Sequence, residues 1–146
     1  MLKVFLDANV YFVGFSSRTG ASALVLEIAR RQKIAVYAAR FVLREADRNL
    51  RKKSTPANLK SFRRYVQNVK IHVVPFPKEE TTQPYEDDLH LKDLPVLGAA
   101  LESKADYLLS LDKKHLLTSR LTHRVKKLNI MSPGDFLTNV YRRGKI

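Results

Sequence analysis

The 146-residue sequence contains no cysteine and no tryptophan. Without cysteine there is no disulfide framework, no thiolate zinc site and no thiol nucleophile. A reducing compartment fits that absence. Glycine is also scarce, and Gly14 and Gly20 stand too far apart for a dinucleotide fingerprint. No Gly-Lys-Ser/Thr phosphate loop occurs. No apolar run approaches the roughly 18 residues that a membrane span needs. The stretch from Val4 to Phe15 behind Lys3 imitates a signal peptide, but Asp7 and Asn9 interrupt it. A carboxylate inside such a run argues against export, so a soluble, cytoplasmic protein with no membrane partner is expected. Acidic residues are few: 14 Asp and Glu stand against 27 Lys and Arg, a formal charge of +13. That balance selects no fold, but it favours a polyanionic partner, nucleic acid before membrane surface.

What is present is ordinary globular material, 45% hydrophobic and 28% charged. Length and composition predict one domain over residues 1–146, able to bury a core. Leu2–Leu6 reads as a buried strand ending at Asp7, and Ile34–Tyr37, Ile71–Val74, Tyr107–Leu111 and Asn129–Met131 read as further strands. Helical spacing predicts helices within Ser17–Arg31, over Arg40–Lys53, from Thr55-Pro56 to about Val69, from Asp93 onward, and after Ser132-Pro133. Pro75 to Pro95 reads as a long connection. The alternation predicts an α/β fold, a three-layer α/β/α sandwich around a mostly parallel sheet.

Two predicted strands run into aspartates, Asp7 and Asp112. Sites in open parallel sheets form beyond the carboxyl ends of the strands, and crossover connections bring those ends to one edge. Glu45, on the helix after the second strand, and Asp93, at the start of a later helix, are placed to face the same edge. Four clustered carboxylates repel one another unless a cation binds them, and all-oxygen ligands suit Mg²⁺ or Mn²⁺ rather than zinc. Each acid also has a plainer reading alone: Asp93 as a helix N-cap, Glu45 paired with Arg44 or Arg48, Asp7 and Asp112 as turn formers. Jointly, the four are better explained by a metal site.

Nine basic residues lie between Arg40 and Arg64, against only Glu45 and Asp47. Arg44, Arg48 and Arg51 share a helix face and, with Lys52 and Lys53, form a candidate phosphate track leading to the acids. Phe62 and Tyr65 lie among these bases, read equally as stacking platforms for unpaired nucleotides or as core or dimer contacts. His72, His90, His115 and His123 show no ligand spacing, and only His115 falls near the proposed site.

The ordered set Val4-Phe5-Leu6-Asp7-Ala8-Asn9-Val10, Phe41-Val42-Leu43-Arg44-Glu45, Asp93-Leu94-Pro95-Val96-Leu97-Gly98-Ala99-Ala100 and Ala105-to-Leu116, closed by Met131-Ser132-Pro133-Gly134-Asp135, resembles the PIN-domain nucleases. It is most similar to the subgroup serving as toxins of toxin–antitoxin pairs. The resemblance implies a metal-dependent endoribonuclease with Asp7, Glu45, Asp93 and Asp112 as catalytic metal ligands and Asn9 and Ser110 in support. It further implies Mg²⁺ or Mn²⁺ as cofactor, RNA as substrate, a cognate antitoxin as partner and a homodimer. Some members carry a further acid shortly after the last aspartate, whereas here Lys113 and Lys114 follow, so the residues leave one or two ions open. Two other readings stand beside it: a catalytically silent nucleic-acid-binding domain, and a phosphatase using Asp7 or Asp112 as nucleophile.

Overall fold

A computed structural model describes residues 1–141; of the domain expected over 1–146, residues 142–146 lie outside the described residues. Five strands, β1 (Lys3–Leu6), β2 (Ala35–Ala39), β3 (Ile71–Val74), β4 (Tyr107–Leu109) and β5 (Asn129–Met131), form one sheet. Its order is β3-β2-β1-β4-β5, and every pairing is parallel. The expected mostly parallel sheet is thus wholly parallel. Val4, Phe5 and Leu6 are all buried, the continuous apolar reading of a strand covered on both faces.

The helices between β1 and β3 are α1 (Ala8–Ser16), α2 (Ala21–Arg30), α3 (Arg40–Lys53) and α4 (Pro56–Asn68). Between β3 and β4 come α5 (Glu79–Thr82), a 3₁₀ turn (Gln83–Tyr85) and α6 (Leu94–Glu102). α7 (Ser119–Arg124) links β4 to β5, and α8 (Pro133–Phe136) follows β5 and runs into a π turn (Leu137–Tyr141). With this strand order the right-handed crossover rule assigns α1–α4 to one face and α5–α7 to the other, because the chain crosses the sheet in opposite directions before and after β3; α1 packs on α2, α3 and α4, and α5 on α6. Among the described residues no helix is long and apolar enough to cross a membrane.

Several elements follow directly from local chemistry. Thr55 caps α4 by accepting from the Asn58 N–H at 3.1 Å, with Pro56 at the first helical position. Ser132 caps α8 in the same way through the Asp135 N–H. His72 stacks on Tyr37 across the β2–β3 pair, ring centroids 4.7 Å apart.

Two expectations need correction. The sequence predicts no helix directly after Asp7, yet α1 fills that stretch. α1 packs against α2, α3 and α4, so it is apolar nearly all round and carries no amphipathic period to read. The fourth strand, expected to reach Leu111, stops at Leu109: the Ser110 N–H still donates to the Met131 carbonyl at 3.1 Å, but the next N–H, of Leu111, turns to the Asn9 side chain instead of to β5.

Phe62 and Tyr65 are core residues. They bind α4 to α1 through edge-to-face rings: Tyr11–Phe62 at 5.8 Å, Phe15–Phe62 at 5.7 Å and Phe15–Tyr65 at 5.3 Å. Such pairs contribute about 0.5–1.5 kcal/mol each beyond their buried area. The Tyr65 hydroxyl also donates to the Leu26 carbonyl at 2.8 Å. Neither ring is free to stack on a base.

Candidate metal centre

The chain leaves β1 toward β2 and β3 on one side, then returns to β4 on the other. The crevice between β1 and β4 is therefore the point where strand order reverses, the place at which open α/β sheets build their sites. Asp7 ends β1 on one side of this crevice, and Ser110–Asp112 leave β4 on the other.

Asp7 is 7% exposed and caps α1, one carboxylate oxygen accepting from the Ala8 N–H at 2.8 Å. Its other oxygen accepts from the Ser110 hydroxyl at 2.8 Å and from the Asn9 amide at 3.3 Å. Ser110 in turn accepts from the Asp112 N–H at 3.1 Å, and the Asn9 carbonyl accepts from the Leu111 N–H at 3.1 Å. Asn9 and Ser110 thus tie the end of β1 to the segment leaving β4, and they set the relation between Asp7 and Asp112. Burial pushes the Asp7 carboxyl up to about 6; the Ser110 and Ala8 hydrogen bonds oppose the rise, and the charges of Glu45 and Asp93 add to it.

Asp93 precedes α6 but makes no capping hydrogen bond to it, which removes the plain helix-cap reading. Its pKa is raised, first by desolvation and then by the Asp112 charge, with His115 and His90 opposing. Asp112 does serve as a turn former through one oxygen, which accepts from the Lys114 and His115 N–H groups at 3.1 Å each. Its second oxygen lies 3.2 Å from His115 Nδ1. Glu45 is exposed on α3 and makes no ion pair among the described residues, so pairing with Arg44 or Arg48 does not account for it. Ser110 bridges Asp7 to the Asp112 N–H, and the charges of Glu45 and Asp93 bear on Asp7, but among the described residues only Asp93 and Asp112, with His115, bring ligand atoms within 4.8 Å of one another, a group that includes neither Asp7 nor Glu45.

His115 is the one residue of this cleft that spacing understates. Its Nδ1 lies 3.2 Å from Asp112 and 3.6 Å from Asp93, and the three side chains bring donor atoms within 4.8 Å of one another. The available signal is its position three residues after Asp112, which a tight turn folds back onto the carboxylate. It occupies the region where Lys113 and Lys114 stand in place of a further acid.

The donor set suits a divalent ion. Hard carboxylate oxygens dominate it, the acids repel one another in an ion-free cleft, and buried Asp7 has no cationic partner among its hydrogen bonds.

Arg44, Arg48 and Arg51 share one face of α3. They line a groove of about 540 Å³ between α3 and α4, and Lys52 and Lys53 are exposed at the helix end. The groove also holds Asp47, which pairs with Arg63 of α4 at 2.8 Å, so the surface is not of one sign throughout. Arg51 lies roughly 16 Å along the helix axis from Arg40, at about 1.5 Å per residue, so the track leads away from the sheet edge.

A PIN domain family model matches residues 3–114. The chain belongs to the PIN domain family. Among solved structures it is similar to VapBC2 from Rickettsia felis bound to a promoter DNA fragment. That match has a TM-score of 0.62 at 15% identity, covering 88% of this chain and 97% of the other. It is also similar to VapC20 of Mycobacterium tuberculosis, a toxin that cleaves the sarcin–ricin loop. There the TM-score is 0.56 at 10% identity, covering 76% of this chain and 91% of the other. At these identities the likeness shows the PIN fold. No curated protein sequence matches the chain.

Proposed function

We propose that this PIN domain is an endoribonuclease toxin of a toxin–antitoxin pair, using Mg²⁺ or Mn²⁺ to hydrolyse RNA phosphodiester bonds. The observation that carries the reading is the β1–β4 crevice of a PIN domain, where Ser110 links Asp7 to Asp112 and Asp93 stands beside Asp112, in a chain with a charge of +13. The VapC proteins above support the toxin assignment, since one of them is an RNA-cleaving toxin.

In this reading Asp7, Asp93 and Asp112 hold the ion, and Glu45, exposed and without an ion-pair partner among the described residues, orients the attacking water. A bound divalent ion lowers the pKa of that water and steadies charge on the phosphoryl oxygens. Asn9 and Ser110 keep Asp7 aimed into the cleft, and Arg44, Arg48, Arg51, Lys52 and Lys53 hold RNA phosphates. The protein acts in the cytoplasm as a homodimer, held in check by a cognate antitoxin; light scattering reporting a monomer at all concentrations would remove the dimer alone.

A silent binding domain would have no need to keep repelling acids together. The test is cleavage of RNA by wild type and Asp7→Asn, with and without chelator. We expect wild type to cut, chelator to stop it, added Mn²⁺ to restart it, and the variant to bind RNA without cutting. Undiminished cutting in chelator or by Asp7→Asn refutes the mechanism. Turnover of a small phosphoester with RNA left intact would move the assignment to the phosphatase.

A further inference from the structure

The cleft contains one donor that is not an oxygen. We propose that Asp93, Asp112 and His115 form a mixed carboxylate–imidazole site that selects a first-row transition ion over Mg²⁺. The inference deepens the metal-dependent reading above and rests on it.

Three features of the geometry carry it. Asp112 spends one oxygen on the Lys114 and His115 N–H groups, which fixes the turn and leaves the second oxygen facing His115 Nδ1 at 3.2 Å. Asp93, released from capping α6, presents an oxygen 3.6 Å from the same nitrogen. Neighbouring ligands of an octahedral ion held at about 2.1 Å stand about 3 Å apart, so the nitrogen lies near the spacing of an adjacent ligand from each carboxylate, with all three donor atoms within 4.8 Å of one another. The His90 ring lies 6.0 Å from that of His115, but His90 is not among the residues whose donor atoms come within 4.8 Å of one another, so His115 is the nitrogen donor of that group among the described residues.

An imidazole changes which ion is held. Mg²⁺ takes oxygen ligands and keeps much of its water, gaining little from nitrogen, whereas affinity of nitrogen-containing sites climbs from Mn²⁺ onward along the first row. A His–Asp contact serving the fold alone would contribute little, because the His115 side chain is 46% exposed and exposed pairs are worth about 0–1 kcal/mol.

Mn²⁺ is the probe, added to the metal-free protein and followed by electron paramagnetic resonance, with Mg²⁺ as competitor. In wild type we expect spin-echo modulation from a directly bound nitrogen. His115→Asn should abolish that modulation and weaken Mn²⁺ binding by at least about tenfold, while Mg²⁺ affinity by calorimetry stays within about twofold. His115→Asp, which rebuilds an all-oxygen site, should also lose the modulation but bind Mg²⁺ more tightly than wild type. Mn²⁺ bound without nitrogen modulation, or a Mn²⁺ preference unchanged by His115→Asn, overturns the role of His115 and leaves the ribonuclease reading intact. Absence of any divalent-ion binding by wild type overturns both.

Discussion

Replacing Asp7 by asparagine keeps the shape of a buried side chain and removes its charge, and the sign of the effect on stability should depend on metal and pH. In metal-free protein the Asp7 carboxyl is raised from 3.8 to about 6, chiefly by burial. At about 1.36 kcal/mol per tenfold change in proton affinity, that rise destabilises the ionised native state by about 3 kcal/mol. Below pH 3.8 the group is protonated in both folded and unfolded chains and the penalty vanishes. It grows as pH rises through the interval to about 6 and is complete above it. The introduced asparagine would still cap α1, since that residue type is among the preferred N-caps. Its amide would nevertheless face the Asn9 amide and lose the charged acceptor for Ser110, giving back about 1 kcal/mol. The variant should therefore be more stable than wild type by about 1–3 kcal/mol at pH 8 in chelator, converging with it near pH 4. A divalent ion at a thousand times its dissociation constant adds about 4.1 kcal/mol to wild type alone, enough to reverse the order. Urea denaturation of both proteins across pH 4–8, with chelator and with Mn²⁺, measures all of this. A variant less stable than wild type at pH 8 in chelator, or a difference that ignores pH, refutes the reasoning.

The remaining expectations concern the core and the basic surface. Tyr11 is fully buried and its hydroxyl has no hydrogen-bond partner among the described residues, so Tyr11→Phe should stabilise the protein by about 1 kcal/mol in urea denaturation; a loss of stability would reveal a hidden partner. Gly98 on α6 has room for no side chain, since an added Cβ would come within 2.6 Å of Thr82 and 2.8 Å of Pro77. Gly98→Ala should thus destabilise by about 1 kcal/mol, overpacking outweighing the gain in helix propensity, and a rise in melting temperature would contradict it. Replacing Arg48, Arg51 and Lys52 together with Ala should flatten the salt dependence of RNA affinity, by up to about three phosphate contacts; an unchanged slope would return these residues to a solvated face.

Elements that declare themselves locally are legible in the sequence. α3 and α4 carry amphipathic faces, Thr55-Pro56 and Ser132-Pro133 announce helix starts, and β3 and β5 end where predicted. α1 is not legible, because burial against three helices erases its period, and α5 and α7, at four and six residues, are too short to show one. In the cleft, Asp7 and Asp112 follow from the rule that strand ends gather at one edge, whereas Glu45 is singled out by family resemblance as well as by its helix. The contact of His115 depends on the Asp112 turn, and spacing alone does not tell a turn from a continued strand.

The placement of β1 at the sheet's centre has a consequence for how the chain is made. β1 is synthesised first, and β2 and β3 can join one of its edges soon afterwards, but the other edge waits for β4, whose Tyr107 pairs with Val4. At about 5–20 residues per second, that edge stays open for about 5–20 s, an unpaired apolar strand able to template wrong partners. The same delay withholds Asp93, Asp112 and His115, so a nascent chain carries no assembled cleft until β4 has emerged and docked. Closure of the second edge of β1 and assembly of the cleft are thus a single late event in synthesis.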